Sequence, residues 1–240
     1  MSRKLVVGDI HGGYRALEQV LDRANFDPSG DTLYAVGDYV DGWSESFEVI
    51  EFLRTLPNFC GVIGNHDVWW RCWLDYGATP RVWTQQGGRA TLDSYEGVGG
   101  TLFDRHRKFA RNLRDYMYVD VGDETHLIVH AGIPTRCSDE YVSRLSTEEL
   151  TWDRSMWYAC VGQSQHVGNT TEFVPHVDHT FIGHTSTMGL DVEEPWTICD
   201  VTNMDTGAGW HGKLSLLDME TFEFWQSDQV KLLYPGMDRR

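Results

Sequence analysis

The chain has 240 residues, is 41% hydrophobic and carries a formal net charge of −16. Length and apolar content favour one large domain with a buried core. The acidic balance argues against duplex nucleic acid and anionic membranes as partners, since both need Lys and Arg to neutralise phosphate.

Five scattered cysteines (Cys60, Cys72, Cys137, Cys160, Cys199) form no Cys-x-x-Cys pair. They fit a reducing compartment better than a disulfide framework or a thiolate zinc site. No apolar run could span a bilayer, and Met1-Ser2-Arg3-Lys4 leads into no signal-peptide core. A cytoplasmic location is expected, in the host cytoplasm if a phage encodes the chain. No repeat or linker divides the sequence, so 1–240 is read as a single domain.

In chain order, Leu5-Val6-Val7 is a short strand ending at Gly8-Asp9-Ile10-His11-Gly12-Gly13. From Tyr14 to Asn25 the apolar residues recur at helical spacing. Asp27 to Asp31 is a turn cluster. Leu33-Tyr34-Ala35-Val36 is a second strand, ending at Gly37-Asp38-Tyr39-Val40-Asp41-Gly42. A helix follows from Ser44 or Glu45 to Leu56, with Pro57 beyond it. Cys60-Gly61-Val62-Ile63 is a third strand, ending at Gly64-Asn65-His66-Asp67. Strands thus alternate with helices at roughly 30-residue intervals, the size of a βαβ unit. Parallel pairing would line up three polar tips on one sheet edge, where open α/β folds place their ligands.

Residues 68–116 read as a helical cap over that edge. They comprise an aromatic-rich stretch to Tyr76, a loop with a turn of helix across Trp83–Leu92, and a basic amphipathic helix from Leu102 to Tyr116. Met117–Val121 and Thr125–Val129 form a hairpin ending at His130-Ala131-Gly132. Ser146 and Glu149 make a capping box for a helix through about Ala159. Phe181-Ile182-Gly183-His184 ends another strand in histidine. Thr197–Val201, Leu214–Asp218 and Phe222–Trp225 read as an antiparallel sheet.

The polar residues gathered at strand ends are Asp9, His11, Asp38, Asn65, His66, His130 and His184. Such oxygen and imidazole donors bind Mn, Fe or Zn. They suit two adjacent cations with one bridging carboxylate, about 3.5–4 Å apart, able to hold a hydroxide and clamp an in-line displacement at phosphorus. A leaving oxygen needs a proton, and an imidazole that is not a ligand supplies it near neutral pH. His66 is the candidate acid, with Asp41 as its orienting carboxylate. Asp67 is expected to cap the helix that follows. His176 and His179 are read as bystanders, and His106, His126 and His166 as packing or surface residues.

These motifs, with Gly183-His184-Thr185 and the ending Asp205-Thr206-Gly207-Ala208-Gly209, occur in the order seen in calcineurin-like metallophosphoesterases. The chain resembles the phosphoprotein phosphatase branch in its bacterial and bacteriophage form, from Leu5 to about Leu217. The resemblance implies an α/β fold of two mixed β-sheets flanked by helices. It implies that Asp9, His11 and His184 hold one metal, Asn65 and His130 the other, and that Asp38 bridges. Manganese is the expected metal, with iron, zinc, cobalt or nickel compatible. Arg154, in Trp152-Asp153-Arg154, matches a phosphate-binding arginine.

One departure is plain: the family commonly has Arg after the second aspartate of Gly-Asp-x-x-Asp, and here Gly42 follows Asp41. Arg89 is the candidate substitute, Trp43 a candidate substrate-facing residue, and His211 a candidate at the rim. The expected reaction is phosphomonoester hydrolysis by a metal-bridging hydroxide, on phosphoprotein or small phosphate esters. A nucleotide phosphodiesterase, a dinucleoside-polyphosphate hydrolase and a silent phosphoprotein-binding module are the rival readings. Oligomeric state is not legible.

Overall fold

Strand β1 (Lys4–Val7) pairs in parallel with β2 (Thr32–Ala35), and β2 with β3 (Phe59–Gly61), in a computed structural model that describes residues 2–134, 139–163 and 173–237. Cys137 and His166 lie outside the described residues. The pairing sets the three Gly-led tips side by side, as the βαβ spacing predicts. Alternation along each strand decides which face each side chain buries. Leu5, Val7, Leu33 and Ala35 meet α1 (Tyr14–Arg23) and α2 (Ser46–Leu53) in one core, against Leu17, Val20, Ile50 and Leu53. Val6 and Val36 face the other way.

Residues 68–112 are mostly helical and pack against the first core, and their Gln85 and Gln86 line a cleft. α3 (Asn65–Tyr76) is followed by α4 (Arg81–Trp83), a π-turn over Thr84–Gly88, α5 (Arg89–Ser94) and α6 (Gly100–Asn112). Trp70, Leu74, Trp83, Tyr95 and Ala110 pack the block onto the first core. α6 stops short of the expected Tyr116. Leu113 turns extended, Arg114 bridges to Val62, and Tyr116 already belongs to the next strand.

The hairpin forms as β4 (Tyr116–Val121) and β5 (Glu124–Val129). After α7 (Asp139–Val142) comes a correction: the helix expected to run to Ala159 is two helices, α8 (Thr147–Trp152) and α9 (Ser155–Gln163). The predicted capping box is present, with the Ser146 hydroxyl accepting from Glu149 N–H. Asp153 then goes extended, and its Oδ1 accepts the Ser155 N–H at 2.8 Å. A side chain that satisfies the orphan donors of a new helix start is what breaks the old helix there.

The last third also departs from expectation, since its strands are divided between two sheets. β7 (Trp196–Ile198) and β8 (Val201–Asn203) join β6 (His179–Ile182), with β8 parallel to β6. β9 (Ser215–Asp218) lies antiparallel on β1, with β10 (Phe224–Gln226) outside it. The sheets are therefore β10-β9-β1-β2-β3 and β4-β5-β6-β8-β7, both mixed. They pack face to face through Val6, Val36 and Val62 on one side and Met117, Ile128 and Phe181 on the other. Among the described residues, no helix is long and apolar enough to cross a membrane.

Candidate active site

The polar tips of both sheets converge. Each tip reverses sharply after its strand, and His11, Asp38, Asp41 and His184 all take positive φ, at 50°, 53°, 73° and 65°. Non-glycine residues rarely adopt this left-handed backbone, and clusters of them mark sites where geometry outranks local comfort. The adjoining glycines leave room for the donors. A Cβ on Gly64 would lie 2.1 Å from Asp38 Oδ1, and one on Gly183 would lie 2.0 Å from Asp9 Oδ1.

Asp38 is central. Its Oδ2 is 3.4 Å from His130 Nε2 and 3.7 Å from His11 Nε2, and its Oδ1 accepts the His66 N–H at 3.0 Å. Burial alone would raise its carboxyl; the imidazoles of His130, His66 and His11 outweigh burial and hold it well below the usual carboxylate range. Burial likewise opposes charge on His130, yet Asp38 and Asp9 push that imidazole up to about 10. Asn65 Oδ1 lies 3.1 Å from His130 Nε2 and 2.9 Å from His184 Nδ1. Burial and the neighbouring His130 push His184 down to about 2, so this ring is neutral. Asp9 Oδ2 accepts the His184 N–H at 2.9 Å. Burial, and then Asp205, raise Asp9 well above the carboxylate range.

Two atoms test whether this set fits cations. Asp9 Oδ1 and His184 Nε2 are buried with no hydrogen-bond partner. An orphaned carboxylate oxygen and an orphaned neutral imidazole nitrogen in one polar cluster are the donor chemistry a divalent ion satisfies. Metal-competent triads form around Asp38 on both sides, His11-Asp38-His66 and Asp38-His130-His184. This grouping differs from the expected division of ligands: His184 lies with His130 and Asn65, not with His11. The reason is topological. β5 and β6 are parallel neighbours, and Gly183 N–H donates to His130 O at 2.7 Å, which brings the two rings to 5.1 Å.

His66 belongs to one triad by distance, yet its Nδ1 is 2.7 Å from Asp41 Oδ2. Asp41 is fully buried and also accepts from Trp83 Nε1 and Thr91 Oγ1, each at 2.7 Å. Burial raises its carboxyl, and the bond from His66 works against that rise. Trp83 and Thr91 escaped sequence reading. They lie some 40 to 50 positions from Asp41 and carry no local signature. Asp67 also differs from expectation. It is the third residue of α3, and its carboxylate accepts from Gly64, Asp38 and Tyr39 N–H at 2.9, 2.7 and 3.0 Å. It thereby braces the Asp38 tip as well as the helix start.

A cleft of about 480 Å³ opens over these groups, lined also by Gln85, Gln86, Trp152, Arg154, Asp205 and Trp210. Arg154 reaches it because the helix breaks at Asp153. Three expected contacts fail. Trp43 is 1% exposed, stacked on Tyr234 and donating to Ala208 O, so it is core. Arg89 faces a separate hollow and pairs with Asp93 at 2.8 Å. His211 lines another small pocket, and its neighbour Trp210 lines the cleft.

Two sheets meeting at an edge of Asp, Asn and His define a metallophosphoesterase-type centre. The chain belongs to the calcineurin-like phosphoesterase family, whose model matches residues 2–188. It is similar to a symmetrical bis(5'-nucleosyl)-tetraphosphatase of Coxiella burnetii, 32% identical over 61% of this chain and 47% of that protein. It is also similar to serine/threonine-protein phosphatase 1 of Salmonella typhimurium, 27% identical over 88% of this chain and 89% of that one. The chain thus spans about half the length of that tetraphosphatase, and nearly all of the phosphatase. In fold it resembles a Saccharomyces cerevisiae protein serine/threonine phosphatase, at 13% identity, 99% and 82% coverage and TM-score 0.62.

Proposed function

We propose that the chain is a phosphatase that hydrolyses phosphate monoesters at a two-cation centre, with phosphoprotein as the substrate. The observation that supports it is Asp38, one carboxylate shared by two clusters of donors. Asp9, His11 and Asp38 would hold one ion; Asp38, Asn65, His130 and His184 would hold the other. Divalent ions bound there, manganese by expectation, would neutralise phosphoryl charge and supply a nucleophile at neutral pH.

The chain's own residues do the rest. Arg154 offers a forked guanidinium to phosphoryl oxygens. Asp41 holds the Nδ1–H of His66, which leaves Nε2 to carry a proton to the departing oxygen. Trp83 and Thr91 fix Asp41 and so fix the ring. The near full-length similarity to a serine/threonine phosphatase supports the phosphoprotein reading, and the scattered cysteines support a cytoplasmic one.

A second reading has its own observation. Trp152 and Trp210, 37% and 60% exposed, line the cleft and could stack on nucleobases. The test is a panel on manganese-loaded protein: p-nitrophenyl phosphate, phosphopeptides and dinucleoside tetraphosphate. Turnover of the first two is expected. Turnover of the dinucleotide alone would replace the phosphoprotein reading, and inactivity toward all three would remove the phosphatase reading.

A further inference from the structure

At Gly42, where the family commonly has Arg, a different segment lies against the backbone. Gly42 has φ 97°, and its N–H donates to Gly87 O at 3.2 Å. A Cβ on Gly87, itself at φ 103°, would lie 2.6 Å from Gly42 N. Two glycine backbones therefore touch, and no side chain fits between them. This contact lets the Thr84–Gly88 turn come down onto the Asp41–Gly42 loop. Trp83 pins one end of the turn through its bond to Asp41, and a Cβ on Gly88 would lie 2.5 Å from the Trp83 indole nitrogen. The outcome is that Gln85 and Gln86, both exposed, line the cleft, while Arg89 is turned away to Asp93.

Resting on the phosphatase reading above, we propose that Gln85 and Gln86 bind the leaving group and set the preference for it. Gln85 and Gln86 line the same cleft as His66, the residue that delivers the proton. A group receiving that proton departs past the two carboxamides. Each carboxamide offers donors and an acceptor without charge. They match the N–H and C=O of a peptide main chain flanking a phosphorylated residue, and they add nothing to the electrostatic hold on the phosphoryl group. Position 42 offers no side chain, and the two glutamines offer a neutral surface that reads what the phosphate is attached to.

The test is the Gln85→Ala, Gln86→Ala double variant of the full chain, loaded with manganese. kcat/KM is measured for a phosphopeptide and for p-nitrophenyl phosphate, which has no peptide groups. The phosphopeptide value should fall roughly 5- to 50-fold, the worth of two neutral hydrogen bonds, while the aryl ester stays within about twofold. An equal fall on both substrates would overturn the inference, because the glutamines would then serve the phosphoryl group or the fold. No change on either substrate would overturn it too. Wild-type protein that turns over the aryl ester but no phosphopeptide overturns the peptide assignment alone. Wild-type protein inactive on both overturns the phosphatase reading beneath it.

Discussion

His66 is held by its Nδ1 on Asp41 and lines the cleft, and two roles it could play can be separated. As the acid, its replacement by Asn should leave cation binding intact and cut turnover of an alkyl phosphate by roughly 10²–10⁴-fold. As a ligand, its loss should weaken manganese binding in a calorimetric titration, which would remove it from the acid role. The acid's support can be tested one step back. Trp83→Phe deletes one of the donors to Asp41 and leaves a lone pair in a dry site. A loss of roughly 3- to 30-fold in kcat is expected, with KM for the aryl ester little changed and the alkaline limb of the pH profile, where His66 loses its proton, displaced. An unmoved pH profile would make Trp83 a packing residue only. Sequence reading reached His66 and Asp41 because their motifs are local. It could not reach Trp83 or Thr91, whose roles exist only once α4 and α5 are folded against the Asp41 loop. It misplaced Trp43 because proximity in sequence to a site says nothing about which way a turn points an indole.

Elements placed by local periodicity are the ones found where expected. β1 to β3 and their tips follow from spacing alone. The later strands do not, because β9 must find β1 across more than two hundred residues and nothing in a four-residue strand names that partner. Within β6 the same limit hides His179, read as a bystander but packed against Phe181 and Phe222, with its Nε2 2.7 Å from the Thr202 hydroxyl. Burial, with His126 nearby, pushes it down to about 4. The unfolded chain takes up this proton near pH 6.5, while the folded chain refuses it until about pH 4. Stability from this group is therefore full above 6.5 and falls as pH drops toward 4, by roughly 2–3 kcal/mol. His179→Gln, which keeps a polar partner for Thr202 without titrating, should flatten the denaturation midpoint over that window relative to wild type. Parallel curves for the two proteins would mean the folded protein accommodates the charge.

At the scale of the molecule, the two sheets have one apolar interface and one polar edge. Val6, Val36, Ile128 and Phe181 hold the interface. At the edge, Asp9, His11, Asp38 and Asn65 come from the tips of the first sheet, and His130 and His184 from the second. Cations there would tie the sheets together where burial cannot, and would offset charge on a chain of net −16. Ligands that bind only the folded state stabilise by mass action, by about 2.7 kcal/mol per site at a hundredfold excess over Kd. With each kcal/mol moving Tm by roughly 2–4 °C in a chain this size, two filled sites should raise Tm by roughly 10–20 °C. Chelation should reverse the rise. Asp38→Asn removes the shared carboxylate, so it should lose most of the response at both sites together and not half of it. A variant that kept half the response would show two independent sites, and the bridging role of Asp38 would fall with that result.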